Sequence, residues 1–215
     1  MEVRIRYAKV GKVRFLSHRD MARVVERAVR RAGLPVAYSQ GFSPRAKLHF
    51  GLALSTGYES YAEYLDVDFD GAAEDLPEAE AVAGLLQPHV PPGIEVTASR
   101  TLEPGTPSLQ DAVTSSTWEF SLLDSSIDEL TACANRLLEA DELPVELVRK
   151  GKQVREDLRP LLLSMDVERD HQGSRLIVEL GTKPRSVRPS ELLDVMSLDE
   201  QPAGVIRTHQ WIQSD

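Results

Sequence analysis

The sequence of 215 residues holds one cysteine, Cys133, and no long apolar run. A single cysteine excludes an internal disulfide and any four-cysteine zinc or iron–sulfur site. No apolar segment approaches the about 20 residues that cross a bilayer. The start, MEVRIRYAKV, also lacks the apolar core of a signal peptide. We therefore expect a cytoplasmic protein that does not engage a membrane.

Histidines are also few, and their positions do not suggest a metal site. His89, His171 and His209 show none of the spacings typical of metal ligands. The sequence therefore predicts neither a metal site nor a cofactor.

Positive charge is scarce overall but concentrated near the start. The net charge is -9, yet the first 50 residues carry twelve Lys and Arg against three Asp and Glu, a net of +9. The remaining 165 residues therefore carry -18. Such an asymmetry favours a surface that binds a polyanion or docks a partner. Attraction between the two parts of the chain is the alternative.

The apolar pattern divides the chain into two similar halves. Residues 1–103 show strands at 3–7, 47–55, 61–69 and 94–102, a helix from a Ser17–Asp20 capping box to about Arg31, and an acidic helix at 77–87. Residues 104–112 have the Pro, Gly and Ser content of a linker. Residues 113–215 show strands at 116–123, 159–168, 174–182 and 205–212, helices at 127–139 and 189–197, and a basic loop at 149–157. We predict an α+β fold of two tandem ferredoxin-like (βαββαβ) halves, with antiparallel sheets and helices on one face.

Alternation along the predicted strands places several cations on one sheet face. Arg4 and Arg6 point away from the core, as do Lys47 and His49. Asp66 and Asp68 on the neighbouring strand could neutralise the two arginines across the ladder, and both interpretations stay open.

The first helix carries a stripe of positively charged side chains. Arginines recur at helical spacing, with only Glu26 to offset them: Arg19, Arg23, Arg27, Arg30 and Arg31. A single-sign stripe favours contact with phosphate or an acidic partner. A solvated or domain-facing stripe is the alternative.

The turn GFSPR combines an aromatic ring with an arginine. Phe42 could stack on a base, and Arg45 could bind phosphate through its guanidinium fork; alternatively, Phe42 packs into the core. Two further basic loops, at 148–160 and 181–193, lie in the acidic half, the second just before a helix start that favours anions. The candidate polyanion-binding residues are Arg14, Arg19, Arg23, Arg27, Phe42, Arg45, Lys47, Arg149, Lys150, Lys152, Arg185 and Arg188.

The segment GKVRFLSHRDMARVVERAVRRAGLPVAYSQGFSPRAKLHFGLALSTGYES resembles the start of the radical-SAM-linked domain family, whose function is uncharacterised. The shared features are Ser17-His18 at the first helix, the run from Gly41 to Pro44, and Gly57 with Ser60. RKGKQVREDLRP and SVRPSELL resemble the later basic motifs of this family. The resemblance implies an accessory role beside a radical SAM enzyme, on a separate chain because Cys133 alone cannot form a CxxxCxxC triplet.

Three functions remain open at this point. The first is a non-catalytic module that partners a radical SAM enzyme and binds RNA or another polyanion. The second is a metal-independent endoribonuclease similar to the CRISPR repeat-processing enzymes, with His18 or His49 as base and Lys47 or Arg14 stabilising the phosphorane. The third is a protein-docking adaptor without nucleic acid.

Overall fold

The computed structural model describes residues 1–71, 75–149, 151–171 and 173–213. The fold is mixed α+β, with mostly antiparallel sheet and, over these residues, five α-helices. The chain divides into a first unit, Met1–Val113 with Ile212–Asp215, and a second unit, Thr114–Trp211. Each unit is described below by itself.

The first unit contains a sheet in which β1 lies between β4 and β3, and β2 also pairs with β3. All of these pairings are antiparallel. The elements are β1 Glu2–Lys9, α1 His18–Arg31, β2 Leu48–Phe50, β3 Glu59–Asp68, α2 Val82–Leu86, β4 Ile94–Thr101 and α3 Leu109–Ala112. The predicted strand at 47–55 is much shorter in the structure. The acidic helix at 77–87 is α2 between two 3-10 turns.

Helix α1 forms where the sequence predicts it. The Ser17 hydroxyl accepts a hydrogen bond from the Asp20 N–H at 3.2 Å, which caps the first turn. Gly33, with φ +68°, follows the last turn in a conformation that favours glycine. The apolar stripe is buried against the sheet and includes Met21, Val25, Ala28 and Val29.

Segment 104–112 is not wholly a linker. The Ser108 hydroxyl accepts a hydrogen bond from the Asp111 N–H at 3.3 Å, and the short helix α3 follows. Leu109 and Ala112 are buried. This segment therefore packs into the first unit instead of spanning open solvent.

In the second unit, neighbouring sheet strands follow the order β10-β5-β9-β8, and β6 and β7 form a separate hairpin. Its elements are β5 Val113–Leu122, α4 Ile127–Glu139, β6 Pro144–Arg149, β7 Lys152–Asp157, β8 Leu162–Asp170, β9 Gly173–Gly181, α5 Pro189–Met196 and β10 Gly204–Ile212. The predicted basic loop at 149–157 is wrong, since most of it is the paired strand β7. Over the described residues, no helix is both long and apolar enough to span a bilayer.

Candidate functional site

The arginine stripe of α1 is exposed along its length. Arg23 pairs with Asp20 at 3.3 Å and Arg30 with Glu26 at 3.0 Å. The Ser17 hydroxyl, followed by the Arg23 charge, lowers the pKa of Asp20, so that this carboxylate stays ionised. Exposed pairs at this spacing contribute only about 0.3–0.5 kcal/mol each, so both arginines can exchange partners.

Three arginines of the stripe carry no recorded ion pair with any described residue: Arg19, Arg27 and Arg31. The stripe is therefore a positively charged surface, partly offset by two acids.

The GFSPR turn forms the tip of a hairpin arm, residues 36–47, which we call the GFSPR arm. Tyr38 and Ala46 form an isolated bridge, and the Ser39 N–H donates to the Arg45 carbonyl at 2.8 Å. At the tip, the relative exposure of Phe42 is 110%. The alternative that Phe42 packs into the core is therefore wrong.

Two cations lie on the GFSPR arm, and a third lies elsewhere in the first unit. Arg45 and Lys47 are exposed, and the Lys47 ammonium lies 3.6 Å from the Asp68 carboxylate. Arg14 lies on another segment, where it pairs with Glu59 at 3.1 Å and stacks over the ring of Phe15.

Arg4 does not belong to an exposed basic face. Its side chain is 3% exposed and makes two hydrogen bonds to the Asp66 carboxylate, at 2.8 and 2.9 Å. The predicted neutralisation across the ladder is confirmed for this arginine. Arg6 is half-buried and donates to the Tyr61 carbonyl instead, while Asp68 faces Lys47 and His49.

A cavity of about 680 Å³ lies in the first unit beside β2. His18 and His49, the two candidate catalytic histidines, both line it. The His18 ring meets the Phe50 ring edge-on, with 5.0 Å between centroids. His49 Nε2 lies 3.8 Å from an Asp68 carboxylate oxygen. The fold therefore brings together two histidines that lie on different elements.

Comparisons with known proteins place the chain in a bacterial family. Residues 2–189 match the model of the family described as "Uncharacterized protein conserved in bacteria (DUF2344)". The chain belongs to this family. No curated protein matches it.

A chain of a solved structure, "Crystal Structure of a Cbf5-Nop10-Gar1 Complex", is similar in fold. The TM-score is 0.53 at 8% sequence identity, and the alignment covers 99% of the present chain. The present chain spans 50% of that chain. At this identity the likeness concerns the fold alone.

The basic residues of the second unit differ in their availability. Arg149 pairs with Glu156 at 2.8 Å on the β6–β7 hairpin but stays 48% exposed. Lys152 and Arg188 are exposed and have no recorded ion pair in the described part of the chain. Lys150 lies outside the described residues.

Arg185 is a structural residue, which corrects its assignment to a polyanion site. Its side chain is 16% exposed and binds Glu156 at 2.5 Å and Glu191 at 2.6 Å. Burial alone would lower the pKa of Arg185, but hydrogen bonds and charge from Glu191 and Glu156 outweigh burial and raise it. Its charge is neutralised inside the protein.

Sequence reasoning missed one wall of the cavity. Thr106, Ser108 and Gln110 line it, yet they lie in the segment interpreted as a linker. The Ser-x-x-Asp pattern at Ser108 and Asp111, typical of a helix start, was the available signal. Among the described residues, no group of three or more His, Cys, Asp or Glu is placed to hold a metal ion.

Proposed function

We propose that this protein is a non-catalytic accessory module that binds RNA through the first unit and partners a radical SAM enzyme on a separate chain. The observation that carries the RNA-binding part is the fully exposed Phe42 ring at the tip of a basic arm. A phenyl ring without any burial contributes nothing to the core and exposes apolar area to water. Stacking on an unpaired base would remove that area from water.

The charge around this ring supports a polyanion as the partner. Arg45 and Lys47 lie on the same arm, and Arg19, Arg27 and Arg31 are exposed on α1. Each lysine or arginine that neutralises a phosphate releases a counterion, so binding should weaken steeply with salt. Single-stranded nucleic acid commonly binds to aromatic platforms along basic grooves.

The radical SAM partner is proposed from the motifs. The Ser17-His18 start of α1 and the run from Gly41 to Pro44 resemble those of the radical-SAM-linked domain family. In the structure, the first motif supplies the helix cap and a cavity residue, and the second forms the exposed tip. His18 and the tip are both exposed, which supports a role in recognition. We also propose a cytoplasmic location and a ferredoxin-like βαββαβ plan for each unit, supported by the strand orders.

Filter retention of labelled single-stranded RNA across a salt series tests the proposal. Phe42→Ala should weaken binding about 5- to 150-fold, the range for loss of one base–aromatic stack, and leave the salt slope unchanged. Arg19→Ala with Arg27→Ala should instead reduce the slope by about 0.7 for each phosphate that the protein no longer neutralises. Arg169→Ala, an exposed arginine of the second unit, is the control and should change neither quantity.

Failure to retain RNA at low salt would refute the RNA-binding role. If the protein then captured the enzyme partner through Phe42 and the α1 stripe, the surface would be assigned to protein docking instead.

A metal-independent endoribonuclease is the second candidate function. The observation that favours it is that His18 and His49 line one cavity. Lys47, which shares Asp68 with His49, could stabilise a phosphorane. The test is incubation of labelled structured RNA with the protein in EDTA. Cleavage that disappears in His18→Ala or His49→Ala but persists in His171→Ala would establish the nuclease activity and refute the non-catalytic role.

A further inference from the structure

We infer that the cavity lined by His18 and His49 binds one unpaired nucleotide of the RNA, with the base inside and the phosphate at the rim. This inference rests on the proposed RNA binding and adds a site for the base. It is carried by three properties of the cavity: its size, its mixture of apolar and polar lining residues, and the contrast between a lining without lysine or arginine over the described residues and the exposed cations nearby.

The size of the cavity suits a nucleotide. Its volume of about 680 Å³ falls within the about 300–1,000 Å³ typical of small-molecule pockets. The lining residues in the described part of the chain all belong to the first unit. The first unit therefore supplies this lining by itself.

The lining of the cavity combines the two kinds of group that recognise a nucleobase. Leu48 and Phe50 are apolar, and the flat face of a base can pack against them. Thr106, Ser108 and Glu2 carry hydroxyl and carboxylate groups that can accept hydrogen bonds from the base edge. Unpaired bases are commonly recognised by this combination of stacking and edge hydrogen bonds.

Two of the lining residues are held in place before any ligand arrives. Asp66 is anchored by its two hydrogen bonds to Arg4, and the Phe50 ring packs edge-on against His18. A prearranged site loses less side-chain entropy on binding.

The distribution of charge favours a base inside the cavity and a phosphate outside it. Among the described residues, the cavity lining includes no lysine or arginine, and its carboxylates are Glu2 and Asp66. A phosphate inside would be desolvated beside these carboxylates. Exposed cations neighbour the lining histidines in the sequence instead. Arg19 follows His18, and Lys47, two residues before His49, approaches the same Asp68 carboxylate as His49.

The test follows the imidazole ring C–H signals by NMR while each of the four nucleoside 5′-monophosphates is added. The protein has five histidines. The signals of His18 and His49 should shift saturably with at least one nucleotide, while those of His89, His171 and His209 stay in place as internal controls. Inorganic phosphate should not reproduce the shifts.

A cavity-filling variant locates the site by a second measurement. Ala53 lines the cavity and is exposed, so Ala53→Phe should fill it and weaken binding of the nucleotide and of single-stranded RNA about tenfold or more. Ala98→Phe places the same ring at an exposed position of β4, outside the cavity lining, and should have no effect.

The possible results distinguish this inference from the proposed function. If RNA is retained on filters but no nucleotide moves the His18 and His49 signals, or Ala53→Phe binds RNA as wild type does, the cavity is not a base site and the RNA-binding role stands. If RNA is not retained at low salt, the proposed function fails, and the inference fails with it.

Discussion

The buried ion pair between Arg4 and Asp66 offers the sharpest test of what stabilises the first unit around the candidate site. Both side chains are 3% exposed. Asp66→Ala would remove the only carboxylate recorded to hydrogen-bond the Arg4 guanidinium within the described chain. The arginine charge would then remain in the interior without a partner.

The expected loss is large. Breaking a buried ion pair by removing one partner costs about 3–5 kcal/mol. Two hydrogen bonds between charged groups, at about 1.5–3 kcal/mol each, agree with that range. Because a domain is stable by about 5–15 kcal/mol, Asp66→Ala should strongly lower the stability of the first unit.

Replacing both partners should have a different result. Arg4→Met with Asp66→Leu leaves neither charge in the interior and roughly preserves side-chain volume, so its stability should approach that of wild type. The double variant therefore separates the cost of an unpaired charge from the cost of altered packing.

Urea unfolding followed by circular dichroism measures these differences. Arg23→Ala is the control, because its pair with Asp20 is exposed and its loss should change stability by no more than about 0.5 kcal/mol. An Asp66→Ala variant within about 1 kcal/mol of wild type, or a double variant no more stable than the single one, would refute this reasoning.

Three further outcomes are expected. Phe42→Ala should leave the urea midpoint unchanged, because the ring is fully exposed; a clear drop would contradict the exposed tip. Glu200 accepts hydrogen bonds from the Ser125 hydroxyl and the N–H groups of residues 123–125. Burial would raise its pKa, but these bonds outweigh burial and lower it. The stability advantage of wild type over Glu200→Ala should be full above the unfolded pKa of about 4.3 and disappear as pH falls through the lower folded pKa. An advantage unchanged down to pH 3 in urea titrations would contradict this linkage. Arg185→Ala should destabilise by about 2–4 kcal/mol, since Glu191 loses this partner and Glu156 keeps only Arg149, whereas exposed Arg188→Ala should change the thermal midpoint little.

Helix α1 and the strand alternation were predictable because their causes are local. The Ser17 cap, the apolar stripe ending at Val29 and the stop at Gly33 all lie within a few residues of the backbone that they shape. The burial of Leu65 and Val67 follows from alternation along one strand. Short-range rules suffice for such features.

The site was less predictable because its features depend on distant residues. Arg4 and Arg185 resemble the exposed cations in sequence, yet each is paired with a carboxylate inside the protein. The pattern around GFSPR left open whether Phe42 was core or exposed, and only the folded GFSPR arm, with its bridge between Tyr38 and Ala46, decided it. The cavity wall from Thr106 to Gln110 lay in an assumed linker.

The sequence by itself determined where the main helices and strands begin, which faces are apolar, and that positive charge collects in the first 50 residues. These features depend on helix caps, turns and apolar periodicity, which involve residues close together in the sequence. Only the tertiary structure decided which cations stay available, that Phe42 is exposed, and that His18 and His49 line one cavity. The physical reason is that an ion pair or a cavity depends on distances between elements, which no local pattern specifies.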